Sequence, residues 1–246
     1  MARRALVTGA AVRVGRAIAV ELARGGFDVV VHHYGSAGEA EETLEACEVA
    51  GMEAFAVQAD LADPEGCRDL AEAVASRWDS LDLLVNNASI YEPRPFEEIA
   101  LDEWDRMQAI NTRAPFLLSQ ALLPLLRAAA SSGEGALVVH MCDIGGDRPV
   151  RGYTHYAVSK AALAMLVKAM AVELAPAVRS VGIAPGHVQW PESFDERTRE
   201  RLARRIPMGR VGTPEDVARL VRFLALEAPY VNGDIIKVDG GLGSRY

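Results

Sequence analysis

Ala5-Leu6-Val7-Thr8-Gly9-Ala10-Ala11-Val12-Arg13-Val14-Gly15 holds the plan of this chain in eleven residues. Three apolar residues make a short buried strand, and two glycines frame a turn leading into a helical run over 15–24 that Gly25-Gly26 stops. A strand, a tight turn and a helix in that order aim the first helical N–H groups, and the positive end of the helix dipole, at the space above the strand. Gly9 permits the tight turn and Gly15 the close approach of helix to sheet. The segment Thr8, Gly9, Arg13, Val14, Gly15 therefore reads as a pyrophosphate-binding turn, against the plainer alternative of an ordinary strand–helix turn. Arg13 is its unusual member: either a fixed cation near the phosphates or a helix-start arginine facing water.

Outward from this turn, short apolar runs alternate with longer amphipathic ones. Strands are predicted over 28–32, 54–57, 81–85, 136–140, 178–183 and 234–238, and helices over 37–50, 64–78 and 153–175. A long helical stretch over 101–130 should be kinked or divided by Pro115 and Pro124. Thr213-Pro214-Glu215-Asp216 opens a last helix, with Thr213 as N-cap and acids in the first turn. Apolar strands alternating with helices predict an α/β fold whose parallel sheet is covered on both faces. No linker or repeat interrupts the series, so residues 1–246 are expected to form a single domain. Its least regular part is 186–212, with a charged run over 192–205. Ligands of such folds bind outside the carboxyl ends of the strands, so this segment either closes over substrate or is a solvated surface helix.

Half of the 246 residues are apolar and the net charge is −8, which argues against nucleic-acid and anionic-membrane partners. Three widely spaced cysteines, Cys47, Cys67 and Cys142, form no C-x-x-C pair; neither a disulfide framework nor a metal site is expected. The first strand begins within a few residues of Met1, and no apolar run reads as long enough to span a bilayer. A soluble cytoplasmic protein is the expectation.

Two further patterns carry chemistry. The second strand ends Val31-His32-His33-Tyr34-Gly35-Ser36, without the acid that NAD-selective sites place there for the ribose hydroxyls. Arg13 and Ser36, with His33 in the same stretch, are candidates to receive a 2′-phosphate instead, so NADP(H) is the expected cofactor. Tyr156 and Lys160 stand four apart at the start of a helix and share a face. A phenol is a poor acid or base near neutrality, and a neighbouring ammonium would lower its pKa, letting it exchange a proton in step with hydride transfer.

With Thr8-Gly9 to Gly15, Asp60-Leu61, Asn86-Asn87-Ala88, Asn111, Tyr156 with Lys160 and Pro185-Gly186 in place, the chain resembles the short-chain dehydrogenase/reductase superfamily over nearly its whole length. The resemblance implies a Rossmann-type doubly wound sheet of about seven strands, helices on both faces, and a homotetramer. It implies that Asp60 and Leu61 flank the adenine, that Asn87, Ala88 and Ser89 line the cofactor, and that Asn111 supports a proton-relay water through its backbone. Lys160 would hold the nicotinamide ribose, and Pro185, Gly186 and Val188 would border the nicotinamide.

Three positions depart from the common pattern of that superfamily. Arg13 replaces a glycine, Ser89 replaces the glycine after Asn-Asn-Ala, and Asp143 stands where most members carry a serine. Together they resemble the pteridine reductase branch, including bacterial dihydromonapterin reductases. Gly35 differs from the arginine of some members of that branch.

The branch implies NADPH-dependent reduction of a dihydropterin such as dihydromonapterin, dihydrobiopterin or dihydrofolate. Tyr156 would supply the proton with help from Asp143, and Arg13 and Ser89 would stand near the pterin. Tyr91 either stacks on the ring or is a surface tyrosine; Trp190 either closes the far side or packs. The alternative is a carbonyl reductase such as a 3-oxoacyl-carrier-protein reductase, against which an ionised Asp143 would repel a developing alkoxide. A non-catalytic NADP sensor is a third class, and the intact Tyr156, Lys160 and Asn111 argue against it.

Overall fold

Strand β1 (Arg3–Val7) lies inside a seven-stranded sheet of order β3-β2-β1-β4-β5-β6-β7 in a computed structural model that describes residues 2–131, 135–190 and 194–244. The other strands are β2 (Phe27–His33), β3 (Ala54–Gln58), β4 (Leu83–Asn86), β5 (Ala136–Met141), β6 (Val178–Pro185) and β7 (Ile235–Val238), and every neighbouring pair is parallel. The expected doubly wound α/β sheet of about seven strands is the one observed. Strands β4 and β5 are buried at every residue because both faces of the sheet are covered.

Alternation along β1 separates the two layers. Ala5 and Val7 pack with Ile18 and Leu22 of α1 (Arg13–Arg24), Ala40 and Cys47 of α2 (Ala37–Val49) and Val221 of α9 (Pro214–Leu226). Leu6 faces the other way, towards Leu70 of α3 (Pro64–Arg77), Leu118 of α5 (Ala114–Ala121), Leu126 of α6 (Leu123–Ala130) and Met170 of α7 (Thr154–Glu173). Local signals fix the helix starts. Asp63 caps α3 by accepting from Glu65 N–H ahead of Pro64, and Thr213 and Asp216 form the reciprocal box that starts α9.

The stretch 101–130 divides where its prolines indicated, with Pro115 and Pro124 in the first turns of α5 and α6. Between α4 (Leu101–Gln108) and α5 the chain adds a π-helical turn, Ala109–Arg113, that periodicity did not show. In the segment 186–212 the structure places a short exposed helix α8 (Glu196–Ala203); residues 191–193, where the charged run begins, lie outside the described residues. One expectation is corrected. The 20 residues of α7 are long and apolar enough by length and composition to cross a bilayer. In the fold they lie along β5 and β6 and carry Tyr156 and Lys160, so the apolar character belongs to a core helix.

Candidate active site

Strand order reverses between β1 and β4, which opens a crevice at their carboxyl ends. Thr8 and Asn87 face each other across it. The Thr8 hydroxyl accepts from the N–H groups of Asn87 and Ala88, both at 2.9 Å, and Asn87 Nδ2 donates to the carbonyls of Thr8 at 2.8 Å and Gly9 at 3.1 Å. Asn87 thus fastens the turn. A Cβ at Gly15 would fall 2.0 Å from Gly9 O, so the close approach of helix to turn requires glycine there. Gly9 has φ +62°, and Arg13 has φ 53°, a left-handed conformation that explains why glycine is common at its position. Arg16 N–H is bonded to Val12 O at 3.1 Å, so the N–H groups just before it have no acceptor within the helix. The cradle fits a dinucleotide pyrophosphate.

Past the end of β2, Ser36 precedes α2 and its hydroxyl makes no capping bond. His33 is buried, and its Nδ1 has no hydrogen-bond partner among the described residues. The exposed Asp60 accepts from Ala62 N–H at 2.8 Å, closing a local turn, while Leu61 is buried. At the other end of the crevice, Gly186 packs against Asp239, which a Cβ would meet at 2.8 Å. Pro185 and Val188 lie on either side of it, half-buried and buried.

Tyr156 and Lys160 lie in the first two turns of α7, 6% and 3% exposed. The Tyr156 hydroxyl donates to Asp143 Oδ2 at 2.9 Å, while Asp143 Oδ1 accepts from Gly145 N–H at 2.5 Å. Lys160 Nζ donates to Met141 O at 2.8 Å and stands 5.7 Å from the Tyr156 ring centre. Burial, then the charge of Asp143 and the hydrogen bond to it, hold the Tyr156 pKa well above the ordinary phenol value. Burial holds Lys160 below the usual ammonium range, with the Asp143 charge opposing. The expectation that Lys160 lowers the tyrosine pKa is corrected. The ammonium is turned to a backbone carbonyl, and burial, followed by the carboxylate on the hydroxyl, raises the phenol pKa instead. Tyr156 is accordingly held in its protonated form.

Asn111 stands in the π-helical turn and is buried. Its Oδ1 accepts from Ser89 Oγ at 3.1 Å and Ile90 N–H at 3.0 Å, and its Nδ2 donates to Ile90 O and Ser159 Oγ, both at 3.1 Å. The side chain braces the loop after β4 against α7, with Ser89 as part of the brace.

Tyr91 joins the site. Its ring stacks on Tyr153 at 4.3 Å and meets Tyr156 edge-on at 4.7 Å, and it is 54% exposed. Tyr153 was not among the expected residues; its place three before Tyr156 was the available signal. Trp190 packs instead against His187 at 5.0 Å and Phe194 at 6.2 Å, and no ring contact brings it to Tyr91 or Tyr156 among the described residues. His187, inside the stretch expected to border the nicotinamide, is held below the ordinary histidine value by burial, with the Asp143 charge opposing. It lines a cavity of about 670 Å³ with Met208, Arg210, Lys237 and Asp239.

A family model described as enoyl-(acyl carrier protein) reductase matches residues 9–243. The chain belongs to the short-chain dehydrogenase/reductase family, and is with it an oxidoreductase that uses NAD(P)H. It is 32% identical to the 3-oxoacyl-(acyl-carrier-protein) reductase FabG of Staphylococcus aureus, over 98% of each chain. A putative short-chain alcohol dehydrogenase from Sinorhizobium meliloti superposes with a TM-score of 0.91 at 31% identity, over 99% of this chain and 97% of that one. The Pseudomonas aeruginosa RhlG/NADP active-site complex gives 0.90 at 33%, over 98% and 96%.

Proposed function

We propose that this protein reduces a carbon–nitrogen double bond of a dihydropterin, such as dihydromonapterin, dihydrobiopterin or dihydrofolate, with NADPH as reductant. One observation carries the reading: a carboxylate, Asp143, bonded to the hydroxyl of the buried Tyr156. NADPH, when bound, supplies the hydride. Thr8, Gly9, Val14 and Gly15 hold its pyrophosphate, and Arg13 and Ser36, with no acid at the end of β2, favour the 2′-phosphate. Tyr156, kept protonated, gives its proton to the ring nitrogen. Asp143 accepts from the amidine-like edge of the pterin, a role that a serine hydroxyl fills less well. Tyr91 presents its half-exposed ring to one face of the substrate.

A second reading is reduction of a 3-oxoacyl thioester, favoured by full-length similarity to 3-oxoacyl-(acyl-carrier-protein) reductases. The comparisons back it more strongly than they back a pterin. Against it stands the charge of Asp143, which would oppose an alkoxide forming beside Tyr156. NADPH oxidation with dihydrobiopterin, dihydrofolate and an acetoacetyl thioester decides between them. Faster turnover of the dihydropterins is expected. Faster turnover of the thioester would install the second reading, and tight NADPH binding without any turnover would point to a sensor.

The proposal includes a cytoplasmic homotetramer whose segment 186–212 closes over substrate. An apolar groove of about 460 Å³ between α5 and α7, with Phe116 and Met165 exposed along it, supports assembly on that face. Sedimentation measures it.

A further inference from the structure

The ring of His32 ties together two segments that no single strand connects. It lies near the end of β2, between β1 and β3, and is 2% exposed. Its Nδ1 takes the N–H of Gly9 at 3.0 Å, and its Nε2 lies 3.1 Å from Ala59 O. A backbone N–H only donates and a carbonyl only accepts, so the ring is the neutral tautomer with its proton on Nε2. Burial draws its pKa down to about 4, with the Ala59 hydrogen bond opposing. The backbone carbonyl of His32 also takes Ala10 N–H at 2.8 Å. Residue 32 therefore engages the first two N–H groups of the glycine turn and leaves those nearer the helix to face the crevice. On its other side, Ala59 leads directly into Asp60-Leu61.

We propose that His32 is a positioning residue for the cofactor: its two ring nitrogens set the phosphate turn and the adenine-side loop in register with each other. The inference rests on the NADP(H) reading. Its prediction is specific to the two bonds, because different amides imitate different nitrogens. In His32→Asn the side-chain oxygen falls where Nδ1 stood and can accept from Gly9. In His32→Gln the amide nitrogen reaches the place of Nε2 and can donate to Ala59. His32→Leu keeps the bulk and offers neither.

The experiment measures NADPH dissociation constants by the fluorescence of the bound nucleotide, beside thermal midpoints for the same proteins. His32→Leu is expected to weaken NADPH about tenfold or more, and His32→Asn to recover most of that loss. His32→Gln should bind more weakly than His32→Asn even where its thermal midpoint is equal or higher. Binding by His32→Leu within about twofold of wild type would overturn the inference. So would affinities that merely follow thermal stability across the three variants. Should His32→Leu fail to fold, the ranking of Asn above Gln decides alone, and equal affinities of those two refute it. Failure of the wild type to bind NADPH would instead remove the cofactor reading on which all of this stands.

Discussion

Replacing Asp143 by asparagine keeps the shape of the side chain and removes its charge. The structure then dictates the direction in which Tyr156 titrates. Burial and Asp143 both raise the phenol pKa, so without the carboxylate burial remains, with smaller contributions from Tyr91 and Cys142, and the pKa falls. A hydrogen bond to a charged acceptor contributes about 1.5–3 kcal/mol net, and one pKa unit corresponds to about 1.4 kcal/mol. The charge and the hydrogen bond are lost together, so the change is downward. Reduction needs the protonated phenol, so kcat/KM declines on the alkaline side. That limb should move to lower pH in Asp143→Asn. Absorbance titration of tyrosinate, with Tyr156→Phe subtracted, reads the shift without any substrate. An alkaline limb and a tyrosinate titration that stay in place, or move upward, would refute the electrostatic argument. The same variant should lose dihydropterin turnover by about a hundredfold, because the ring edge loses its charged acceptor. It should leave an acetoacetyl thioester less affected.

Three more outcomes follow from the site and its supports. Arg13→Gly removes a left-handed non-glycine residue costing about 1–2 kcal/mol, so even after the entropy of glycine the thermal midpoint should rise by about 2–4 °C. Its preference for NADPH over NADH should fall at the same time, as paired binding titrations would report. Gly15→Ala places a methyl 2.0 Å from Gly9 O and 2.7 Å from Asn87 Nδ2. Urea unfolding should show a loss of about 3 kcal/mol, with NADPH binding lost as well. His32 and His140 are held by burial at about 4 and about 3, below the ordinary 6.5, so the fold keeps them neutral where the unfolded chain is already charged. Their contribution is fully present above pH about 6.5 and is lost as pH falls towards their folded values, at a slope approaching about 1.4 kcal/mol per unit for each. In a series of urea unfolding curves across that window, His140→Asn should show the shallower slope.

How much could be read beforehand depends on the range of the interactions. The sequence of strands and helices was legible because it rests on local periodicity, and the cap at Thr213 because its bonds span three residues. The glycine turn was legible because steric exclusion at Gly9 and Gly15 acts within seven residues. The Tyr156–Lys160 spacing was legible because an α-helix sets neighbours four apart. Even so, the direction of the tyrosine pKa came out opposite to expectation, since it depends on burial and on a carboxylate thirteen residues away that the end of β5 delivers to the hydroxyl.

The π-helical turn at Asn111 belongs to the same class, because its side chain is held by the loop after β4 and by α7. The stacking of Tyr91 on Tyr153 brings together residues sixty-two apart, and His32 bridges two strands that flank its own. Sequence by itself determined the sheet, the turn and the placing of Tyr156 and Lys160 as a pair on one helix face, through sterics and periodicity that act between near neighbours. The protonation of that pair, the aromatic wall beside it and the histidine behind the phosphate turn were decided only by tertiary structure, because charge, burial and hydrogen bonding act through space between segments whose proximity no local pattern records.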